Sequence, residues 1–145
     1  MRLFYYLFIT FILISCSNNV ELIFDEDNGG LFLPTGFQSL VVHEGVGQSR
    51  HIAVNENGDI YVKLRLDYGR KGNVALRDKN GDGKADIIQR FGDYPNDGRF
   101  ATEMKINEGY LYYSSERVVY RQKLSSKKLI PDSPVEVILT DPFPI

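Results

Sequence analysis

The chain of 145 residues has no tryptophan, one cysteine and two histidines. A lone cysteine excludes an intramolecular disulfide, so the fold must rest on packing and backbone pairing. Past Cys16 no amphipathic stretch of helical length occurs, which excludes helical bundles and strand-helix alternation. Strong charge of either sign is also missing. A quarter of the residues are charged but the formal net charge is −2, which leaves no footprint for nucleic acid as a partner. What is plentiful is nine tyrosines, nine phenylalanines and thirteen glycines, with β-branched residues in short alternating runs, the composition of strands and tight turns. The sequence therefore predicts an all-β protein.

The first residues, MRLFYYLFITFILISCSNN, place Arg2 before a largely apolar run from Leu3 to Ile14, followed by small and polar residues. That run is too short to span a bilayer comfortably and has the form of an export signal. Leu13-Ile14-Ser15-Cys16 resembles a bacterial lipobox, in which cleavage precedes the cysteine and its thiol takes a diacylglycerol. Residues 1–16 are then a lipoprotein signal peptide with Cys16 as the lipidation site. The other reading is an ordinary secretory peptide with an incidental cysteine. Acylation would hold the protein at a membrane in the cell envelope, periplasmic or surface side, since each buried methylene contributes about 0.8 kcal/mol. Residues 17–32, polar and acidic apart from Val20 and Leu22-Ile23-Phe24, form a tether.

From residue 33 onward, strands are predicted over residues 39–43, 51–55, 59–65, 73–77, 87–91, 103–107, 110–114, 117–123 and 135–139. Glu56-Asn57-Gly58, Glu108-Gly109 and Pro131-Asp132 supply reversals between them. IAVNENGDIYVKL, starting at Ile52, and MKINEGYLYYSS, starting at Met104, read as one unit written twice. Val54 matches Ile106, and Ile60-Tyr61 matches Leu111-Tyr112 after a one-residue gap. With two further strands after each copy, the unit is four antiparallel strands with a period of about 50 residues, the signature of a β-propeller blade. Two unrelated hairpins with shared turn chemistry are the alternative. Blade one spans about residues 39–92 and blade two about 100–140. Closed propellers use about four to eight blades, so the partial propeller at 33–145 is expected to be the amino-terminal part of a longer protein, through truncation, frameshift or a fragmentary gene model.

Within blade one, GNVALRDKNGDGKADIIQRFG (72–92) places Asp78, Asn80, Asp82 and Asp86 at the alternating spacing of a calcium loop. Gly83 follows the third ligand, and the Lys84 carbonyl stands where such loops contribute a backbone oxygen. Gln89 replaces the bidentate glutamate of an EF-hand, and the flanking runs suit strands rather than helices. The loop is thus either a structural calcium site of modest affinity or an Asx-rich hairpin turn. Because it joins outer strands, a cation there would be structural, apart from any cofactor site at the propeller axis.

LPTGF (33–37), VVHEGVGQSRHIAVNENGDIYV (41–62) and the 72–92 stretch together resemble the amino-terminal blades of the sorbosone dehydrogenase family, the pyrroloquinoline-quinone (PQQ) dependent aldose and pyranose dehydrogenases. The resemblance covers about residues 33–124. It implies a six-bladed propeller that binds PQQ at the mouth of its channel with calcium, and oxidises a small-molecule sugar or aldehyde by hydride transfer from C1. It also implies that the catalytic histidine and most quinone-gripping arginines lie in later blades, beyond this chain. Arg50, His51 and Arg99 remain as channel-mouth positions. His51 has the alternative of a buried or rim histidine with a backbone partner, Arg99 that of a solvated loop arginine, and His43 is a lesser possibility. The functional expectation is the amino-terminal part of an exported, lipid-anchored PQQ-dependent dehydrogenase. The alternatives are a non-catalytic propeller lipoprotein that binds carbohydrate or protein, and a non-functional fragment.

Overall fold

The structure is a computed structural model that describes residues 21–65, 71–92 and 103–141. The export signal with Cys16 and the loop with Arg99 lie outside the described residues. The described chain is all-β, with a single 3-10 turn at Asn28–Gly30. Strands β1 (Ser49–Val54), β2 (Ile60–Leu64), β3 (Asn73–Arg77) and β4 (Ile87–Phe91) form one antiparallel sheet in chain order. Strands β5 (Met104–Asn107), β6 (Tyr110–Ser114), β7 (Val118–Lys123) and β8 (Glu136–Thr140) form a second. Each sheet has the up-and-down order of a propeller blade.

The turns follow from backbone chemistry. Between β1 and β2, Gly58 sits at φ +88°, and the Asn57 side chain accepts from the Asp59 backbone N–H. Between β5 and β6 the reversal is one residue shorter, with Glu108 at φ +48° and Gly109 at φ +74°, the paired left-handed residues of a type I′ hairpin. This difference is the gap in the sequence repeat. On either side of it the registers coincide: Val54 pairs with Ile60 in the first sheet, and Ile106 pairs with Leu111 in the second.

The two sheets share a core. Tyr61, Ala75 and Phe91 of the first sheet meet Met104, Leu111, Tyr113 and Tyr120 of the second, joined by Leu129 from the β7–β8 connection. The Tyr61 hydroxyl donates to the Leu129 carbonyl at 2.9 Å, and the Tyr61 and Phe91 rings meet edge to face at 6.0 Å. Successive strand residues point to opposite faces, and the repeat pairs Tyr61 with Tyr112 and Val62 with Tyr113. The first sheet therefore buries the face of Tyr61, while the second buries the face equivalent to Val62. Equivalent sheets packed by non-equivalent faces are related by rotation about an axis, as successive blades are. The opposite face of the first sheet carries Val62, Leu64, Val74 and Leu76, all buried, with Val46 and Ala85 packed against them.

One predicted strand is absent. Residues 39–43 hold the β-type apolar run Leu40-Val41-Val42, yet they join no sheet. Their backbone groups have isolated partners instead: the Ser39 carbonyl accepts from Asp25 N–H and the Val42 carbonyl from Ala85 N–H, while Val41 N–H donates to the Asp25 carboxylate at 2.6 Å. The described part of the expected tether is correspondingly docked. Asp25 and Asn28 both bond across to residues 39–41.

Candidate functional site

Two places gather the residues that the sequence marked. The first is the β3–β4 connection, which brings Asp78, Asn80, Asp82, Lys84 and Asp86 into one tight loop. Asp78 closes it: one carboxylate oxygen accepts from Gly81 and Asn80 N–H at 2.6 and 3.1 Å, and the other accepts from Gly83 N–H at 2.8 Å. Burial pushes the Asp78 carboxyl up, but the backbone N–H groups of Gly83, Gly81, Asn80 and Asp82 together outweigh it and hold the pKa below the ordinary carboxylate value. Asp86 accepts from Lys79 and Asn80 N–H, and Asp82 from Lys84 N–H and the Asn80 amide.

All four side chains offer oxygen, the donor type of a hard cation, and carboxylate oxygens that accept one N–H retain a further lone pair. Their present geometry is that of interlocked Asx turns. Among the described residues, no three His, Cys, Asp or Glu side chains are gathered as a metal-holding group. Gly83 is fixed twice over. Its φ is +88°, and an added Cβ would lie 2.7 Å from Leu40 and 3.0 Å from Leu22, so the amino-terminal segment packs directly on the loop. Lys84 tightens the same contact, its ammonium 3.3 Å from Asp25. The Asp25 carboxyl is held low chiefly by the Val41 N–H, with Lys84 adding to it against desolvation.

The second place is the start of the first strand of each sheet. β1 carries a bulge between Ser49 and His51, which makes Arg50 the extra residue and turns its side chain out of the ladder. His51 Nε2 lies 3.3 Å from a carboxylate oxygen of Glu103, immediately before β5. The strand starts of the two sheets thus meet through an acid and a histidine, both substantially exposed. A quinone tricarboxylate needs converging cations. Arg50 is a single cation, and Glu103 beside His51 carries the same charge as the quinone's carboxylates, so these residues alone do not form such a pocket. His43 is elsewhere, in an open groove of about 850 Å³ bordered by Asp25, Asp27, Glu44 and Lys84.

Sequence reasoning missed the buried pair that supports the loop. Arg77, the last residue of β3, grips Asp59 with two bonds of 2.6 Å, and Asn57 donates a third at 2.9 Å. The Asp59 side chain is only 2% exposed. Desolvation raises the Asp59 pKa, yet the Arg77 and Asn57 hydrogen bonds and the Arg77 charge carry it below its ordinary value of 3.8. The parity of β2 and β3, with Asp59 and Arg77 on one face at one end of the sheet, was the available signal. Lys63 was equally unmarked: it is buried, with Nζ donating to the carbonyls of Leu64 and Gly72 at 3.3 and 3.4 Å.

No known protein family, curated protein or solved structure matches the chain. Among the described residues, no helix is long and apolar enough to cross a membrane.

Proposed function

We propose that the chain supplies the amino-terminal two blades of an exported, lipid-anchored PQQ-dependent sugar or aldehyde dehydrogenase of the sorbosone dehydrogenase type. The observation that carries this reading is the rotational repeat. Two four-stranded sheets pack by non-equivalent faces, with Arg50, His51 and Glu103 together at the start of the first strand of each sheet. The sequence stretches at 33–37, 41–62 and 72–92 add the family resemblance. The quinone, when bound, accepts the hydride; the part of this chain is to close one side of the channel mouth, with Arg50 pairing a cofactor carboxylate. Calcium held by Asp78, Asn80, Asp82, Asp86 and the Lys84 carbonyl serves as a staple of the first blade. Cys16 carries the lipid, and Cys16→Ser should release the protein from membranes.

The test is to express the whole reading frame that contains this chain, load it with PQQ and calcium, and follow dye reduction with aldoses. Sugar-dependent reduction that Arg50→Ala weakens supports the reading; no quinone binding by the folded protein rejects it. The second reading, a non-catalytic propeller that binds carbohydrate or protein, is favoured by Glu103 beside His51. A carboxylate at that point repels the charge a quinone would bring.

A further inference from the structure

The amino-terminal segment is docked too early to act as a long tether. Leu22 and Leu40 press on Gly83, and Asp25 joins the same corner of the first sheet through the Val41 N–H at 2.6 Å and the Lys84 ammonium at 3.3 Å. Leu22 stands six residues after Cys16, a span of at most about 22 Å even when fully extended. A lipid on Cys16 therefore holds the β3–β4 corner within that distance of the bilayer surface, a limit set by residues 16–22 whatever follows residue 145. The surface at that corner is apolar. Asn28 closes a loop onto Ser39, its side chain accepting the Ser39 N–H at 3.1 Å and its carbonyl the Ser39 hydroxyl at 2.6 Å. Gly29, at φ +62°, lets the base of the loop close, since an added Cβ would lie 2.8 Å from Val41. Residues 28–42 carry no charge. Within the loop Phe32, Phe37 and Leu31 are 105%, 68% and 59% exposed, and Ile23, on the stretch that leads back to Cys16, is 75% exposed.

We propose that the loop from Leu31 to Phe37, together with Ile23, is a membrane-contact surface that inserts into the headgroup region of a zwitterionic phospholipid bilayer. The inference rests on the acylation of Cys16 proposed above and adds to it the face that the protein turns to the membrane; it is independent of the quinone chemistry. Exposed aromatic and aliphatic side chains partition into the boundary between headgroups and acyl chains. The short span from Cys16 raises their effective concentration there, as a second binding element gains from a first. Charge selects the lipid. The exposed charges that precede the loop in the chain are Glu26 and Asp27, while Lys84 is paired with Asp25. Anionic headgroups would meet like charge, so apolar insertion into neutral lipid is the mode that this surface fits.

Fluorescence quenching by nitroxide-labelled lipid tests this on the whole reading frame that contains the chain, made in a bacterial host with its export signal. Phe32→Cys carries an environment-sensitive thiol probe, and the protein is reconstituted in phosphatidylcholine vesicles with and without the nitroxide lipid. Glu116→Cys is the control. Glu116 is exposed in the β6–β7 turn, at the end of the second sheet where β5 begins, away from the β3–β4 corner. The probe at residue 32 should shift to the blue and lose fluorescence to the nitroxide lipid, while the probe at residue 116 keeps its fluorescence. Ile23→Ser and Phe37→Ser together should weaken the quenching at residue 32, and added phosphatidylglycerol should not strengthen it. Phe37→Cys serves as the second probe site should Phe32→Cys lose its β-sheet circular dichroism. Mass spectrometry of the same protein reads the acyl group on Cys16 separately. Acylated protein whose residue-32 probe is not quenched, is quenched no more than the residue-116 probe, or is quenched only with anionic lipid overturns the proposal and leaves the anchor standing. Protein without an acyl group on Cys16 rejects the anchor and the proposal with it.

Discussion

The two sheets have the same strand order and the same hairpin register, yet their outer strands differ sharply. In β4, Phe91 is buried and Arg90 is held by the Val46 carbonyl, while every residue of β8 is exposed, including Val137, Ile138 and Leu139. Strand sequence does not account for this, since Val, Ile and Leu are at least as apolar as the residues of β4. Neighbours account for it. The first sheet has the second on one face and the amino-terminal segment on the other, and among the described residues the second sheet has one neighbour. In a repeat architecture each unit owes its burial to the units beside it, so equivalent residues should carry unequal stability.

The largest expected effect sharpens that contrast at the equivalent tyrosines. Tyr61→Ala removes a fully buried ring and the bond to Leu129, and should cost about 3–5 kcal/mol in denaturant melts. Tyr112→Ala, on the free face, should cost under about 1 kcal/mol. Similar losses from both would mean that the sheets do not pack by non-equivalent faces.

Next in size is the pair that anchors the β3–β4 loop. Arg77→Ala leaves the Asp59 carboxylate buried without its cation and should cost about 3 kcal/mol near neutral pH. Because the folded-state pKa of Asp59 lies below 3.8, the stability that it contributes is present above that pH. It is lost as the pH falls through the folded value. Asp59→Asn should therefore flatten the acid limb of the stability profile, and an unchanged acid limb would remove the pair from the account. The second sheet offers a control. At the position equivalent to Asp59 it has Tyr110, stacked under the Arg121 guanidinium at 4.7 Å, a contact worth about 0.5–1 kcal/mol at an exposed site.

The loop itself gives a smaller, conditional effect. With calcium at a hundredfold excess over Kd, the first sheet should gain about 2.7 kcal/mol, at an affinity of about 10⁻⁴ to 10⁻³ M. Asp82→Ala should abolish the gain, while Lys84→Ala should keep it because only the Lys84 carbonyl is called upon. Equal melting temperatures in millimolar calcium and in chelator would leave a hairpin turn and no cation site.

These contrasts also mark what the sequence could convey. The strands and hairpins were legible because alternation and Asn-Gly or Glu-Gly turns are local signals, and the Val54–Ile106 alignment carried the blade repeat. Residues 39–43 misled because Leu40-Val41-Val42 is a β-type apolar run, while the groups that claim their backbone, Asp25 and Ala85, lie far along the chain. The Asp78–Asp86 loop was legible as a motif, yet nothing local shows that Leu22 and Leu40 press against Gly83. Arg50 and His51 were legible as the start of a strand. Glu103 was not, because its proximity to His51 exists only once the two sheets have packed.

The central claim is that the two sheets are successive blades sharing one core through Tyr61. Hydrogen exchange on the full chain, wild type against Tyr61→Ala, tests it most directly. The account expects the amides of β6 and β7 to lose protection together with those of β2 and β3, because Leu111, Tyr113 and Tyr120 lose the surface on which they pack. Loss of protection confined to β1–β4, with β6 and β7 unchanged, would contradict it.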